Sequence, residues 1–189
     1  MRTLNTKQQL LIAGGLALLM AVTRSPQLGG PELLHSGSWA VFFAAGVYLT
    51  AGIALPAFLA LAFALDAATV GWGGIAAYCF TPAYAMLLPA YAALWAAGRW
   101  YAARHRMAWD TLAPLAGAVA VGAVVCEAFS SGGFYWLSGT VADPTLAEFA
   151  AREARYFPAY LATLVFWVSL GALAHAGVAT LRGRRGAAA

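Results

Sequence analysis

"SWAVFFAAGVYLTAGIALPAFLALAFALDAATVGW", residues 38–72, has Asp66 as its single charged residue. A helix needs about 20 apolar residues to cross a bilayer, so this stretch is too long for one crossing and short for two. Gly52 and Pro56, inside "AGIALP", permit a tight turn near its middle. Whether the stretch is one helix or a helical hairpin decides how many times the chain crosses.

The rest of the sequence bears on that choice through its solvent. The 189-residue chain is 62% hydrophobic and 10% charged, whereas soluble domains carry about 25% charged residues. Too few ionic groups remain to cover a water-facing surface, so lipid is the solvent for most of the chain. Backbone polar groups in lipid need internal partners, which leaves helices and closed barrels. The apolar runs are continuous and rich in Ala and Leu rather than alternating, which selects helices. Further blocks lie at 8–23, 82–103, 111–128 and 157–181.

The net charge of +4 does not form a nucleic-acid patch; the basic residues stand at the ends of apolar runs. They cluster as Arg2 with Lys7, as Arg99, Arg104 and Arg106, and as Arg182, Arg184 and Arg185. Putting all three clusters on the cytoplasmic side, as the positive-inside rule asks, requires 38–72 to be a hairpin. Eight basic residues then lie inside against Arg24, Arg152 and Arg155 outside. The expectation is an all-α integral membrane protein: six transmembrane helices, both termini cytoplasmic, residues 1–189 one transmembrane domain. No small-x-small cleavage site precedes "TRSPQ", so the first apolar run is expected to be a retained helix rather than a signal peptide.

This topology sends 24–37, 73–81 and 129–156 outward. The last contains "FSSGGFYWLSG" and is read as a long functional loop. "ADPTLAEFAAREAR" within it reads as a short helix with Asp143 as N-cap and Pro144 at its first position.

Few residues here can carry chemistry. Cys79, in "AAYCFTPAY", is one of two cysteines, and no CxxC pair is present. Its thiol reads as a small core residue, as a disulfide or redox partner of Cys126, or as a ligand. Asp66 has no basic residue within a helical turn, and an ionisable group in a membrane helix marks a functional site unless it faces outer water. Glu127 has more the character of a helix-end charge. Arg152 and Arg155 are one turn apart, placed either to pair with Glu148 or to meet Asp66. Tyr84 reads as an interfacial anchor or a site residue. His35, His105 and His175 fit no zinc spacing, and there is no Walker sequence or nucleotide loop. Ala13, Ala17 and Ala21 in "AGGLALLMA" form a strip of small residues on which another helix can approach closely.

Taken together, six helices in a chain of this length, long outer loops and the Ala-xxx-Ala strip resemble the S-components of energy-coupling factor (ECF) vitamin transporters. The cysteine in "AAYCFTPAY" and the loop "SSGGFYWLSG" resemble the BtuM family within that group, small membrane proteins that bind and take up cobalamin. The resemblance implies cobalamin as the bound substrate and Cys79 as the axial ligand of its cobalt. It places Asp66, Tyr84 and Arg152 in the polar pocket, facing the amides of the corrin rim. Tyr78, Phe80, Phe134, Tyr135 and Trp136 suit the broad apolar corrin faces. It also implies reductive loss of cyanide from cyanocobalamin through the thiolate, a soft and strongly donating ligand. Ala13, Ala17 and Ala21 match the strip that docks on an ECF transmembrane subunit driven by ATPase subunits, although BtuM-like proteins also act alone. The localisation implied is the cytoplasmic (inner) membrane. The rival function is a membrane thiol–disulfide oxidoreductase using Cys79 and Cys126.

Overall fold

A computed structural model of the chain describes residues 4–24, 37–73 and 81–187, with side chains described as far as residue 69 in the second segment and 181 in the third. Its helices are α1 (Thr6–Arg24), α2 (Ser38–Tyr48), α3 (Ala54–Gly73), α4 (Leu87–Arg104), α5 (Leu112–Leu137) and α6 (Leu146–Ala187). Short 3-10 turns, Pro82–Met86 and Trp109–Thr111, lead into α4 and α5. No strand occurs among the described residues. Among the described residues, three segments are long and apolar enough to cross a membrane: Thr6–Arg24, Trp109–Leu137 and Leu146–Leu181. Helix α2 has 11 described residues, about 17 Å of helix against a hydrocarbon core of about 30 Å.

The stretch 38–72 is two helices, as its glycine and proline suggest. Leu49 turns extended at φ −99° and ψ 121°, and α3 resumes with Pro56 in its first turn, where the missing N–H leaves no bond unmade. The break is tied to α1: Gln9 Oε1 accepts hydrogen bonds from Thr50 N and Thr50 Oγ1, both at 3.0 Å.

Helix α2 is the centre of the packing. Val41, Phe42 and Ala45 are fully buried. A Cβ at Gly46 would collide with the backbone of Trp95 in α4, and one at Gly98 in α4 would collide with the backbone of Phe43 in α2. Each glycine thus admits the other helix to backbone contact, the close approach that small residues allow between membrane helices. Along α6, by contrast, Val165, Phe166, Leu170 and Leu173 are exposed, an apolar surface suited to lipid.

Two local expectations need correction. The long loop at 129–156 is mostly helical: α5 continues through "FSSGGFYWL" to Leu137, and α6 begins at Leu146. Gly133 sits inside α5 where Met86 occupies the space a side chain would take, whereas a side chain at Gly132 would meet only Phe149, at ordinary contact distance. Nor is Asp143 the N-cap. Its φ is +50°, and Thr145 caps instead, accepting the Glu148 N–H at Oγ1 (3.2 Å) and the Phe149 N–H at its carbonyl (3.0 Å). The expected short helix then runs unbroken into the last apolar block as α6, 42 residues long with Pro158 inside it.

Candidate functional site

Asp66, solitary in sequence, is paired in space. Arg24, in the last turn of α1, donates Nε to Asp66 Oδ1 and Nη2 to Oδ2, both at 2.6 Å. A planar guanidinium and a carboxylate match in this two-bond geometry, which adds directionality to charge. Arg24 Nη1 donates to Ser38 Oγ at 2.8 Å and to Tyr91 Oη at 3.0 Å. Tyr84, on the turn before α4, donates its hydroxyl to Asp66 Oδ2 at 2.7 Å. Behind this cluster the ring of Tyr91 stacks on Phe42 at 4.3 Å and 10°. One ion pair therefore ties α1, α2, α3 and α4 together.

Arg24 and Asp66 form one wall of a cavity of about 570 Å³, within the range of about 300–1,000 Å³ usual for small-molecule sites. Further lining comes from α5 and α6. Glu127, Ser130 and Ser131 face inward from α5, Arg152 and Glu153 from α6. Glu127 is 5% exposed and accepts hydrogen bonds from Ser131 Oγ at 2.8 Å and Ser130 Oγ at 3.4 Å. Trp39, Phe134, Tyr135, Phe149, Tyr156 and Tyr160 complete the lining with aromatic surface. Tyr135 is locked by its hydroxyl, which accepts from Thr145 N and donates to Thr145 O, both at 3.0 Å. Arg152 lies over its ring at 5.8 Å.

Of the residues singled out from sequence, Asp66, Arg152, Phe134 and Tyr135 line this cavity. Tyr84 touches it through Asp66 and itself lines a smaller apolar cavity of about 320 Å³ with Leu59, Phe63 and Leu88. Trp136 packs edge-on against Tyr135 at 5.0 Å and is 43% exposed. Cys79, Tyr78 and Phe80 lie outside the described residues. Ala13, Ala17 and Ala21 are half-buried, and the first two pack against the chain's own core. Arg152 does not meet Asp66, whose oxygens are held by Arg24 and Tyr84. Cys126 is fully buried and free.

Arg24, Glu127 and Glu153 are the site residues that sequence reasoning ranked low or passed over. Ser130 and Ser131, at i+3 and i+4 from Glu127, were the local sign that this carboxylate is supported inside a helix bundle. At the far end of α4, Tyr101 Oη lies 2.8 Å from His105 Nδ1 and Tyr48 Oη lies 3.2 Å from His175 Nδ1. The two imidazoles sit edge to face at 5.2 Å. No group of three or more metal-ligating side chains occurs among the described residues.

Compared with protein-family models and with curated proteins, the chain matches none.

Proposed function

We propose that the chain is a six-span protein of the cytoplasmic (inner) membrane, both termini cytoplasmic, that binds cobalamin in the cavity and takes it up. One observation carries the reading. Asp66, on the cavity wall, accepts from Tyr84 on the turn that begins just after Thr81, and Cys79 precedes Thr81 by two residues. The aromatic lining suits the apolar faces of a corrin, and the buried polar walls suit its amide rim.

In this reading Cys79 loses its proton on meeting cobalt and becomes an axial thiolate. An electron passes from sulfur to Co(III), giving Co(II), and cyanide leaves with its bonding pair. An external thiol then returns a hydrogen atom to the thiyl sulfur, and two of the external thiyl radicals so formed couple to a disulfide, the oxidised product. The sealed environment of Cys126 gives no support to the thiol–disulfide alternative, since redox-active thiols are accessible ones. Transport proceeds either with ECF transmembrane and ATPase subunits or alone; we favour solitary action, with conversion of the corrinoid trapping it inside.

The test is the visible spectrum of protein purified after growth with cobalamin. Bound corrinoid, with thiolate features lost in Cys79→Ser, is expected. A colourless wild-type protein would reject the reading.

A further inference from the structure

Glu127 of α5 lines the cavity and is only 5% exposed. An acid inside a membrane-spanning helix costs free energy and marks a functional position. Asp66 meets that cost with Arg24 and Tyr84, which hold both its oxygens and join separate helices. The bonds at Glu127 are of another kind. Ser131 Oγ donates to Oε1 at 2.8 Å, and Ser130 Oγ reaches Oε2 at 3.4 Å. Both serines lie one turn further along the same helix. These bonds therefore orient the carboxyl along α5 and do not tie it to a neighbouring helix, as Arg24 ties Asp66.

Orientation decides what this group can recognise. A carboxyl oxygen that accepts one hydrogen bond has capacity for another, and both Glu127 oxygens act as acceptors toward the serines. A ligand group that fits them must bring a donor. On the rim of a corrin, a side-chain amide does so through its N–H. A methyl ester of similar size brings acceptors only, so it would set acceptor against acceptor in a buried place, the costly case for polar groups. The aromatic lining, Trp39, Phe134 and Tyr160 among it, shields such a bond from water and strengthens it.

We infer that Glu127 is a specificity-determining residue of the cavity: it accepts an N–H from one side-chain amide of the corrinoid, and Ser131 is the positioning residue that aims it. Asp66 does not play this part, because its oxygens are held by Arg24 and Tyr84. This rests on the cavity being the corrinoid site, and it narrows the substrate class to corrinoids whose amide at that position is intact.

The experiment is a set of binding titrations on the full chain in detergent. It uses cobalamin and derivatives in which one side-chain amide at a time is replaced by its methyl ester. One ester is expected to bind wild type roughly 10-fold more weakly than cobalamin. Glu127→Leu, which removes both acceptors, should weaken cobalamin by a similar factor and leave that ester unchanged, so that the two losses do not add. Glu127→Gln keeps one acceptor oxygen and should fall between wild type and Glu127→Leu; it carries the same comparison if Glu127→Leu does not fold. Ser131→Ala should weaken cobalamin about threefold and the ester not at all. Ser131→Thr, which restores a hydroxyl, should recover cobalamin binding. Equal binding of cobalamin and every ester to wild type overturns the inference, and so do additive losses in Glu127→Leu. A loss in Ser131→Ala that is equal for cobalamin and the ester overturns the positioning role. Wild type that binds neither cobalamin nor any ester overturns the corrinoid reading and this inference with it, whereas cobalamin binding that is indifferent to Glu127 overturns the inference alone.

Discussion

Arg24 closes on Asp66 through two hydrogen bonds of 2.6 Å, across 42 residues of sequence. With side chains 12% and 23% exposed, the pair is largely out of water, where removing one partner leaves a charge without compensation. Asp66→Asn is expected to destabilise the protein by about 3 kcal/mol, and Arg24→Gln by a similar amount. Tyr84→Phe removes one hydroxyl and should cost about 1 kcal/mol. Denaturation of the three variants and of the Arg24→Gln/Asp66→Asn double checks this. Additive losses in the double variant would mean that the two residues are not coupled.

The backbone contact of α2 with α4 makes a sharper prediction. Gly98→Ala and Gly46→Ala each place a methyl where the opposite backbone stands. Backbone cannot rotate aside as a side chain can, and overpacking of this kind costs about 1–3 kcal/mol. Gly117→Ala meets open space in α5 and should be neutral or slightly stabilising, since Ala favours helix. Thermal unfolding in detergent ranks the three; similar midpoints for Gly98→Ala and Gly117→Ala would contradict the close approach.

These contacts show what sequence reveals and what it hides. The break in 38–72 was legible because Gly52 and Pro56 act locally, through backbone freedom and a missing N–H. Asp66 also stood out, from the cost of an acid in a membrane helix, and it lines the cavity. Its partner did not stand out, because nothing in "TRSPQ" marks Arg24 as reaching α3. The Gly132–Gly133 pair reads as a loop until Met86 is seen filling the space beside Gly133. Thr145 with Glu148 is a recognisable Thr-x-x-Glu cap signal; Asp143–Pro144 offered a competing one two residues earlier, and the hydroxyl of Tyr135, from another helix, decided between them.

His105 gives the pH dependence. Burial, and then the neighbouring His175, push its imidazole below the usual histidine range. The folded state therefore prefers the neutral ring, while the unfolded chain takes up a proton near its ordinary value of about 6.5. The stabilising contribution is complete above that value and is lost as pH falls through it. Wild type should lose thermal stability between pH 7.5 and pH 5.5, and His105→Asn should lose less. A larger acid loss in the variant would reverse the assignment.

Topology and ligation are separable with single cysteines. Residue 140 is in the exposed connection between α5 and α6, and residue 105 in that between α4 and α5. A membrane-impermeant thiol reagent added outside intact cells is expected to label a cysteine at 140 and not at 105, because the basic clusters favour a cytoplasmic 105. The reverse pattern would invert the orientation. On the same background, Cys79→Ser should abolish thiolate ligation and cyanide release, whereas Cys126→Ser should leave both intact. Equal losses in the two would favour a cysteine pair.

The last prediction separates solitary uptake from docking on a coupling subunit. Ala17 is a poor probe for this, because it packs against the chain's own core and a larger side chain there would disturb α1 itself. Gly15, on the same helix, has open space where a side chain would project, and Leu11 and Leu18 flank it at 77% and 66% exposure. A partner helix lying on this face would be lifted by Gly15→Trp, since close helix contact depends on small residues. Nothing in the cavity would change, because Gly15 is not among its lining residues. Working alone, the protein has no partner to lose, so Gly15→Trp should retain both cobalamin binding and uptake in cells that carry ECF genes. Uptake lost with binding and membrane abundance unchanged would show that a partner docks on α1 and would reject solitary action.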